Sequence, residues 1–474
     1  MNFITQRIGL GLLLLGTAGP AFAQQVAAPN IHFLVDTSGS MRELPQLKTS
    51  GHKAFFDQTI NGCFNPDLDM TSMVGGWNPA TVYPVADVGT GLGSDTGFPN
   101  LFRDDKFYGY MFWEDSTNPA WQWDSQELAC QSQVPAWDTT GASTYSQCLT
   151  CLSTKGYWKL PGATQRDSPP YENRDFIFWG RFLNFNPPKY VTIKTALKSV
   201  LKDLQNTRAG ISIFTTTGTL TSMLKPQGPT CSATLGSPDF FTDTLRGSYI
   251  DAVNTLAFTT GTPLAKSLLN IGYSFTSDDS VYQTAFGFGS AYAYPPEFKN
   301  APLTSDSRSV CWGCQTNAVV IITDGEPTSD NFTSTMATKL RTVNGGPVYC
   351  PDAQPCNSGT STATRDKGTS DLSVTDDNPL YYLDDVAKML YTQDLQRSTP
   401  SQVGYFNTAG NQSVITYTVG LGIDSNLLRN TAAVGGGTYQ TTKNGIALKD
   451  ALQNVITEVQ ARAGSCVFNP PSEL

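Results

Sequence analysis

The chain has little histidine, little charge and no long apolar run beyond its first residues. His32 and His52 are the only histidines among 474 residues. Zinc hydrolysis and imidazole-based acid–base chemistry are therefore disfavoured, since such sites draw on several histidines or on one with an acid or nucleophile beside it. Lys and Arg number 31 against 40 Asp and Glu, the formal net charge is −9, and no basic run is present. An acidic chain of this kind is a poor match for nucleic acid or an anionic membrane surface. After residue 15 no stretch approaches the roughly 20 apolar residues of a membrane-spanning helix. There is no repeat at solenoid or propeller spacing and no low-complexity tail.

What is present begins with an export signal. Arg7 supplies a positive start, Ile8 to Leu15 an apolar segment, and Ala21-Phe22-Ala23 a small-x-small cleavage site. We read residues 1–23 as a signal peptide, cut before Gln24. No Cys follows the cut, which argues against a lipid anchor. The mature chain is expected in the periplasm or at the outer surface of the cell.

The ten cysteines all lie beyond the signal: Cys63, Cys130, Cys148, Cys151, Cys231, Cys311, Cys314, Cys350, Cys356 and Cys466. An even number in an exported chain reads as disulfides. Local bridges at Cys148/Cys151, Cys311/Cys314 and Cys350/Cys356 are one reading, and spacing leaves the connectivity open. Redox activity at the two Cys-x-x-Cys pairs is disfavoured, because neither sits between a strand and a helix. No His follows either pair, which argues against covalent haem.

Strand and helix signals alternate. Ile31–Val35 reads as a strand, and Val191–Leu204 as a helix with Ile193, Ala196, Leu197, Val200, Leu201 and Leu204 on one face. Further strands are expected at Ala209–Phe214, Ala318–Ile322, Val414–Val419 and Thr438–Thr441, and Thr219–Leu224 is a candidate hairpin partner of the first of these. Helices are expected at Tyr249–Leu256, Leu264–Ile271 behind Pro263, 331–342, 381–395 and Ile446–Ala461. The run Ala318–Ile322 is apolar throughout, as in a parallel strand covered on both faces. The fold class is α/β: a mostly parallel central sheet flanked by helices. Residues 24–466 would form one domain, with a tail at 467–474. Three insertions interrupt it, at 45–189, 274–316 and 343–380. The first is too long for a structureless loop and is expected to be a disulfide-stapled subdomain. Its aromatics, at 107–123 and 176–185, either pack together or face a partner.

The chemistry sits at the strand ends. Asp36-Thr37-Ser38-Gly39-Ser40 follows the first strand and offers a carboxylate and two hydroxyls at alternating positions. Asp324 follows Ala318–Ile322, and Thr262 opens the loop before Leu264. In open α/β sheets ligands bind beyond the carboxyl ends of the strands. Asp36, Ser38, Ser40, Thr262 and Asp324 can therefore meet on one rim as hard oxygen donors. Such a set suits Mg²⁺ first, with Mn²⁺ or Ca²⁺ as alternatives. The cluster Asp371, Asp376, Asp377, Asp384 and Asp385 lacks the spacing of a calcium loop. Asp384 and Asp385 read instead as starting a helix. His32, within the first strand, reads as a satisfied core residue.

The ordered set Asp-x-Ser-x-Ser, Gly-Thr-Pro-Leu and Thr-Asp-Gly resembles the signature of the von Willebrand factor A (VWA) domain. That resemblance implies a Rossmann-like VWA fold with a metal-ion-dependent adhesion site (MIDAS). Ser38, Ser40 and Thr262 would be hydroxyl ligands, and Asp36 and Asp324 would bind directly or through water. An acidic group of a protein partner would complete the shell. Three segments also resemble the PilY family of type IV pilus biogenesis and tip-adhesion factors: Cys314 to Gly325, Leu383 to Tyr391, and Phe182-Leu183-Asn184-Phe185. The likeness covers that family's amino-terminal part, which in the family is followed by a β-propeller. The resulting expectation is a non-enzymatic, metal-dependent adhesion or assembly module, pilus-associated as a tip or minor component. The alternatives are a surface or periplasmic scaffold with a purely stabilising metal and, behind it, a periplasmic thiol–disulfide enzyme.

Overall fold

The computed structural model describes residues 25–42, 187–215, 231, 242–258, 260–301, 307–324, 327–346, 348, 381–397, 410–442 and 444–464, and strands elsewhere. Those further strands are 107–112, 121–128, 157–159, 175–179, 221–228 and 467–468. The signal, His52, the cluster Asp371 to Asp377 and most of the insertions at 45–189 and 343–380 lie outside the described residues.

The chain order is β1 (Gln25–Val26), β2 (Asn30–Val35), β3 (Phe107–Phe112), β4 (Trp121–Leu128), β5 (Tyr157–Lys159), β6 (Asp175–Trp179), α1 (Lys189–Asp203), β7 (Arg208–Phe214) and β8 (Thr221–Gly228). There follow α2 (Asp243–Asn254), α3 (Leu264–Ser274), β9 (Asn317–Thr323), α4 (Ser334–Val343), α5 (Leu383–Thr392), β10 (Val414–Leu421), α6 (Asn426–Val434), β11 (Gly436–Thr442), α7 (Gly445–Ala463) and β12 (Val467–Phe468).

The central sheet runs β11-β10-β9-β2-β7-β8. Its first five strands are mutually parallel and β8 closes one edge antiparallel to β7. This is the α/β Rossmann-like class expected from the alternation of strand and helix. The two middle strands show why. In β2, Ile31, Phe33 and Val35 enter one core, and Leu34 enters the other. In β9, Ala318, Val320 and Ile322 share the first core, while Val319 and Ile321 share the second. A strand apolar on both faces needs cover on both, and helices supply it. Val191, Leu197 and Leu201 of α1, Val253 of α2 and Leu452 and Val455 of α7 cover one face. Leu264 and Leu268 of α3, Leu340 of α4, Leu390 of α5 and Leu427 of α6 cover the other.

The order of the strands matters more than their number. After β2 the chain builds outward through β7 and β8, then crosses back to add β9, β10 and β11 on the other side of β2. The strand order therefore reverses between β2 and β9. A crevice opens there at the carboxyl ends, which is where ligands of open α/β sheets sit.

Three expectations are corrected. Cys311 does not bridge to Cys314: it is bonded to Cys231, 80 residues away in sequence, with 5.5 Å between the Cα atoms. Cys314 is also disulfide-bonded, so Cys311/Cys314 is not a redox dithiol. A helix unforeseen in the sequence, α6, fills the stretch between β10 and β11, capped by the Ser425 side chain on the Leu428 amide. The expected 274–316 insertion is not all irregular. It carries a π-turn at Val281–Ala285 and short 3₁₀ turns, and Tyr273, Tyr282, Phe288 and Tyr292 pack within the second core.

Four strands within the 45–189 stretch form a second sheet, all antiparallel, in the order β4-β3-β6-β5. Among the described residues no helix is long and apolar enough to cross a membrane.

Candidate functional site

Backbone register brings the first and last acids together. Val35 of β2 pairs with Ile322 of β9, so the next residues on each strand leave the sheet side by side. The Asp36 amide donates to the Ile322 carbonyl at 2.9 Å, the last rung of that ladder. Asp36 thus emerges beside Thr323, and Asp324 follows directly.

The turn after β2 is held in place by its own side chains. The Ser38 amide donates to Asp36 Oδ1 at 2.7 Å, an Asx-type turn that bends the chain back over the strand end. Thr37 Oγ1 accepts from the Phe214 amide at 3.1 Å and donates to the Phe214 carbonyl at 3.2 Å, tying the turn to the end of β7. Met41 is wholly buried in the first core and anchors the short 3₁₀ turn Gly39–Arg42. β4 of the second sheet lies against this same turn.

A continuous chain of hydrogen bonds links the predicted donors. Ser38 Oγ and Ser40 Oγ are 2.9 Å apart. Ser40 Oγ donates to Asp324 Oδ1 at 2.9 Å. Thr323 Oγ1 donates to Asp36 Oδ2 at 2.5 Å. Asp36 is fully buried, Ser38 and Asp324 nearly so, while Gly39 and Ser40 are half-buried at the mouth. The structure therefore gathers Asp36, Ser38, Ser40 and Asp324.

Thr262 is carried alongside by its loop. Thr260 pairs with Ser38 as an isolated parallel bridge: the Gly39 amide donates to the Thr260 carbonyl at 3.0 Å, and the Thr260 amide to the Thr37 carbonyl at 3.2 Å. Thr262 itself is buried, and its amide donates to Thr328 Oγ1 at 2.8 Å. The Thr328 amide returns a bond to the Thr262 carbonyl at 3.0 Å. Two residues on, the buried Asp330 accepts from the Ala265 amide at 2.7 Å and the Lys266 amide at 3.0 Å. It caps α3 from another part of the chain, where the helix N-terminus favours a carboxylate. The stretch Thr328–Asp330 thus clamps the Thr262 loop to the rim.

The electrostatics are those of crowded acids. Burial, and then the nearby Asp324 carboxylate, push Asp36 up to about 7; hydrogen bonds from Ser38 and Thr323 oppose the rise. Burial also pushes Asp330 up to about 7. Two carboxylates converging on one crevice are relieved by a cation. The donors are carboxylate and hydroxyl oxygens, which suit a hard ion. Among the described residues no group of three or more His, Cys, Asp or Glu gathers where it could hold a metal ion; the set here joins two carboxylates to hydroxyl oxygens.

Lys189 was not foreseen as part of this site. Its Nζ donates to Asp324 Oδ2 at 2.6 Å and to the Ser40 carbonyl at 3.4 Å. The signal was present in the sequence: Pro187-Pro188 followed by a lysine on the first turn of a helix, where a cation is disfavoured. Thr323, quoted in the Thr-Asp-Gly motif without a role, proves to orient Asp36.

Other residues take plain structural places. His32 Nε2 lies 2.6 Å from Ser212 Oγ in the core, as expected of a satisfied histidine. Asp384 and Asp385 open α5, with Asp384 Oδ2 accepting from Asn430 Nδ2 at 2.7 Å.

No known protein family matches the sequence, and no curated protein does. Among solved structures, the pilus adhesin SpaC of Lactobacillus rhamnosus GG, in its open conformation, aligns at 11% identity with a TM-score of 0.29. The alignment covers 57% of this chain and 28% of SpaC. An aerotolerance-related membrane protein of Bacteroides fragilis aligns at 13% identity with a TM-score of 0.20, over 57% of this chain and 90% of that one. Superpositions this loose transfer neither fold nor function, so the reading of the site rests on its own geometry.

Proposed function

We propose that this chain is an exported adhesion or assembly module that holds Mg²⁺, or a similar hard cation, at the crevice between β2 and β9 and grips a protein partner through it. The observation that carries this reading is the hydrogen-bonded set Asp36, Ser38, Ser40 and Asp324 at the point where strand order reverses. Asp36 and Asp324 would supply the negative charge, and Ser38, Ser40 and Thr262 the neutral oxygens. The ion would supply a strong, directional attraction for an acidic side chain of the partner. The half-buried mouth at Gly39 and Ser40 is where such a side chain would arrive. The role is binding without catalysis. By sequence resemblance alone, the machinery would be a type IV pilus, with the chain acting as a PilY-like tip or minor component.

The test is capture of envelope proteins by the purified domain, with Mg²⁺ and with chelator, for the wild type and Asp36→Ala. Binding should be lost on chelation and in the variant, while the circular dichroism spectrum stays that of the wild type. Partner binding that survives both changes would sink the reading.

A scaffold with a purely stabilising ion is favoured by one observation: the donors are already bonded to one another and mostly buried. In that case chelation lowers the melting temperature and leaves partner binding unchanged.

A further inference from the structure

The least expected group at the rim is a lysine. Lys189 is the first residue of α1, and that helix turn has neither an acidic residue nor a side-chain cap. The positive end of the helix dipole works against an ammonium there. The residue is also 7% exposed, and taking an ammonium out of water is costly unless it is paired. The ion pair with Asp324 offsets both penalties. Nζ lies 2.6 Å from Asp324 Oδ2, in an ion pair whose carboxylate side chain is fully buried.

The geometry gives Asp324 no spare oxygen. Oδ1 accepts from Ser40 and Oδ2 from Lys189. Asp36 is engaged differently, by the Ser38 amide and the Thr323 hydroxyl, neither of them a cation. A divalent ion reaching the donor set would therefore meet Lys189 at Asp324. Two cations on one carboxylate in a poorly solvated crevice repel strongly. Pro187 and Pro188 fix the backbone just before the lysine, and the Val191 and Thr192 amides both bond to the Pro188 carbonyl. Only the flexible side chain is left to move.

We propose that Lys189 is a tethered counter-cation that competes with the divalent ion for Asp324, so that filling the centre requires the ammonium to withdraw. This inference rests on the metal-binding reading above and adds its regulation. The lysine offsets one of the two carboxylates at low ion concentration. The site then fills only where the cation is abundant, and its threshold is set by the strength of one ion pair.

Calorimetric titration with Mn²⁺ tests the idea on the wild type, Lys189→Met and Lys189→Arg. Lys189→Met should bind on the order of 10-fold more tightly, within the range expected for such coupling. Lys189→Arg, which keeps the charge, should bind like the wild type. Equal or weaker binding by a folded Lys189→Met overturns the proposal and leaves the metal centre standing. Absence of binding in all three chains overturns the centre as well. A second measurement needs no variant: acylation of Lys189 by an amine-reactive reagent, followed by mass spectrometry. Mn²⁺ should raise labelling of Lys189 several-fold as the side chain leaves Asp324; unchanged or reduced labelling overturns the proposal.

Discussion

The two ends of the central sheet both bury charge, but they do so in opposite ways. At the amino end, Arg208 and Arg308 are fully buried. Arg208 donates to Asn30 Oδ1 at 3.1 Å, to the Arg308 carbonyl at 2.8 Å and to the Ser309 carbonyl. Arg308 donates to Gln396 Oε1 at 2.6 Å. Asn30 Nδ2 reaches both the Ser309 carbonyl and Asn317 Oδ1 at 2.7 Å. These donors close on backbone and amide oxygens of β2, β9 and the irregular segments at 308–309 and 396, and the Cys231–Cys311 bridge staples the same region. At the carboxyl end, short oxygen-bearing side chains from β2, β9 and their turns converge on each other instead. At the amino end the guanidinium groups tie irregular segments to the sheet through carbonyl and amide oxygens. A network of acids and hydroxyls has surplus negative charge and invites a cation. The contrast separates a polar core that holds loops from a rim where two acids crowd together.

If that contrast holds, damage at the two ends should differ in kind. The largest effect is expected at the amino end. Arg208→Met removes three hydrogen bonds at once and takes the guanidinium donor from Asn30 Oδ1 and the Arg308 carbonyl, while the Ser309 carbonyl keeps Asn30 Nδ2; each oxygen left unsatisfied costs about 1–3 kcal/mol. Urea denaturation should show a loss of about 3 kcal/mol or more, with Mn²⁺ affinity unchanged in whatever fraction folds. A stability loss below about 1 kcal/mol would mean the arginine network is not a structural one.

An intermediate effect is expected from pH. Asp36 and Asp330 both have folded values near 7, raised from an ordinary 3.8. A raised acid binds its proton more tightly in the folded chain than in the unfolded one. The stability it contributes is whole below the unfolded value and drains away as pH climbs through the folded one. In chelator, the melting temperature should therefore fall between pH 4 and pH 8. Mg²⁺ should restore more of it at pH 8 than at pH 5, because it offsets the charge of Asp36. Asp36→Asn should flatten the slope, leaving the Asp330 contribution. A chelated wild type whose melting temperature rises through this range would break the account of the crowded acids.

The smallest effect is expected at Thr262. Thr262→Val removes one hydroxyl and keeps the shape, so the fold should stand to within about 1 kcal/mol. Mn²⁺ affinity should drop a few-fold if that oxygen faces the ion. An unchanged titration would narrow the donor set to Asp36, Ser38, Ser40 and Asp324.

Sequence legibility followed the range of the forces involved. Ala318–Ile322 is readable because burial on both faces demands an unbroken apolar run, and β9 extends it by only one residue at each end. The helix expected at Val191–Leu204 is readable from its one apolar face, and α1 starts two residues earlier. The helix α6 was hidden: a short apolar face of Leu427, Leu428, Ala432 and the partly buried Val434 is all that marks it, and Asn430 and Thr431 lower its helical preference. The helix α2 was read from Tyr249 onward, although Thr242 caps it seven residues before that point. At the site, Asp36 and Asp324 could be placed because each ends an apolar strand. Lys189 could not be paired with Asp324, since no local pattern marks an attraction across 135 residues. The partner of Cys311 was unreadable for the same reason, being fixed by three-dimensional proximity alone.

One quiet feature bears on how the domain would carry force. β1 and β12 form a two-residue antiparallel ribbon in which Gln25 lies across from Phe468 and Val26 from Val467. The chain arrives at Gln25 and leaves at Phe468 from the same end of that ribbon. A pull on the two ends would peel these pairs apart in succession, like a zipper, instead of shearing them together. The ribbon would give way first and lengthen the connection, sparing β2, β9 and the ion crevice until the slack was used up.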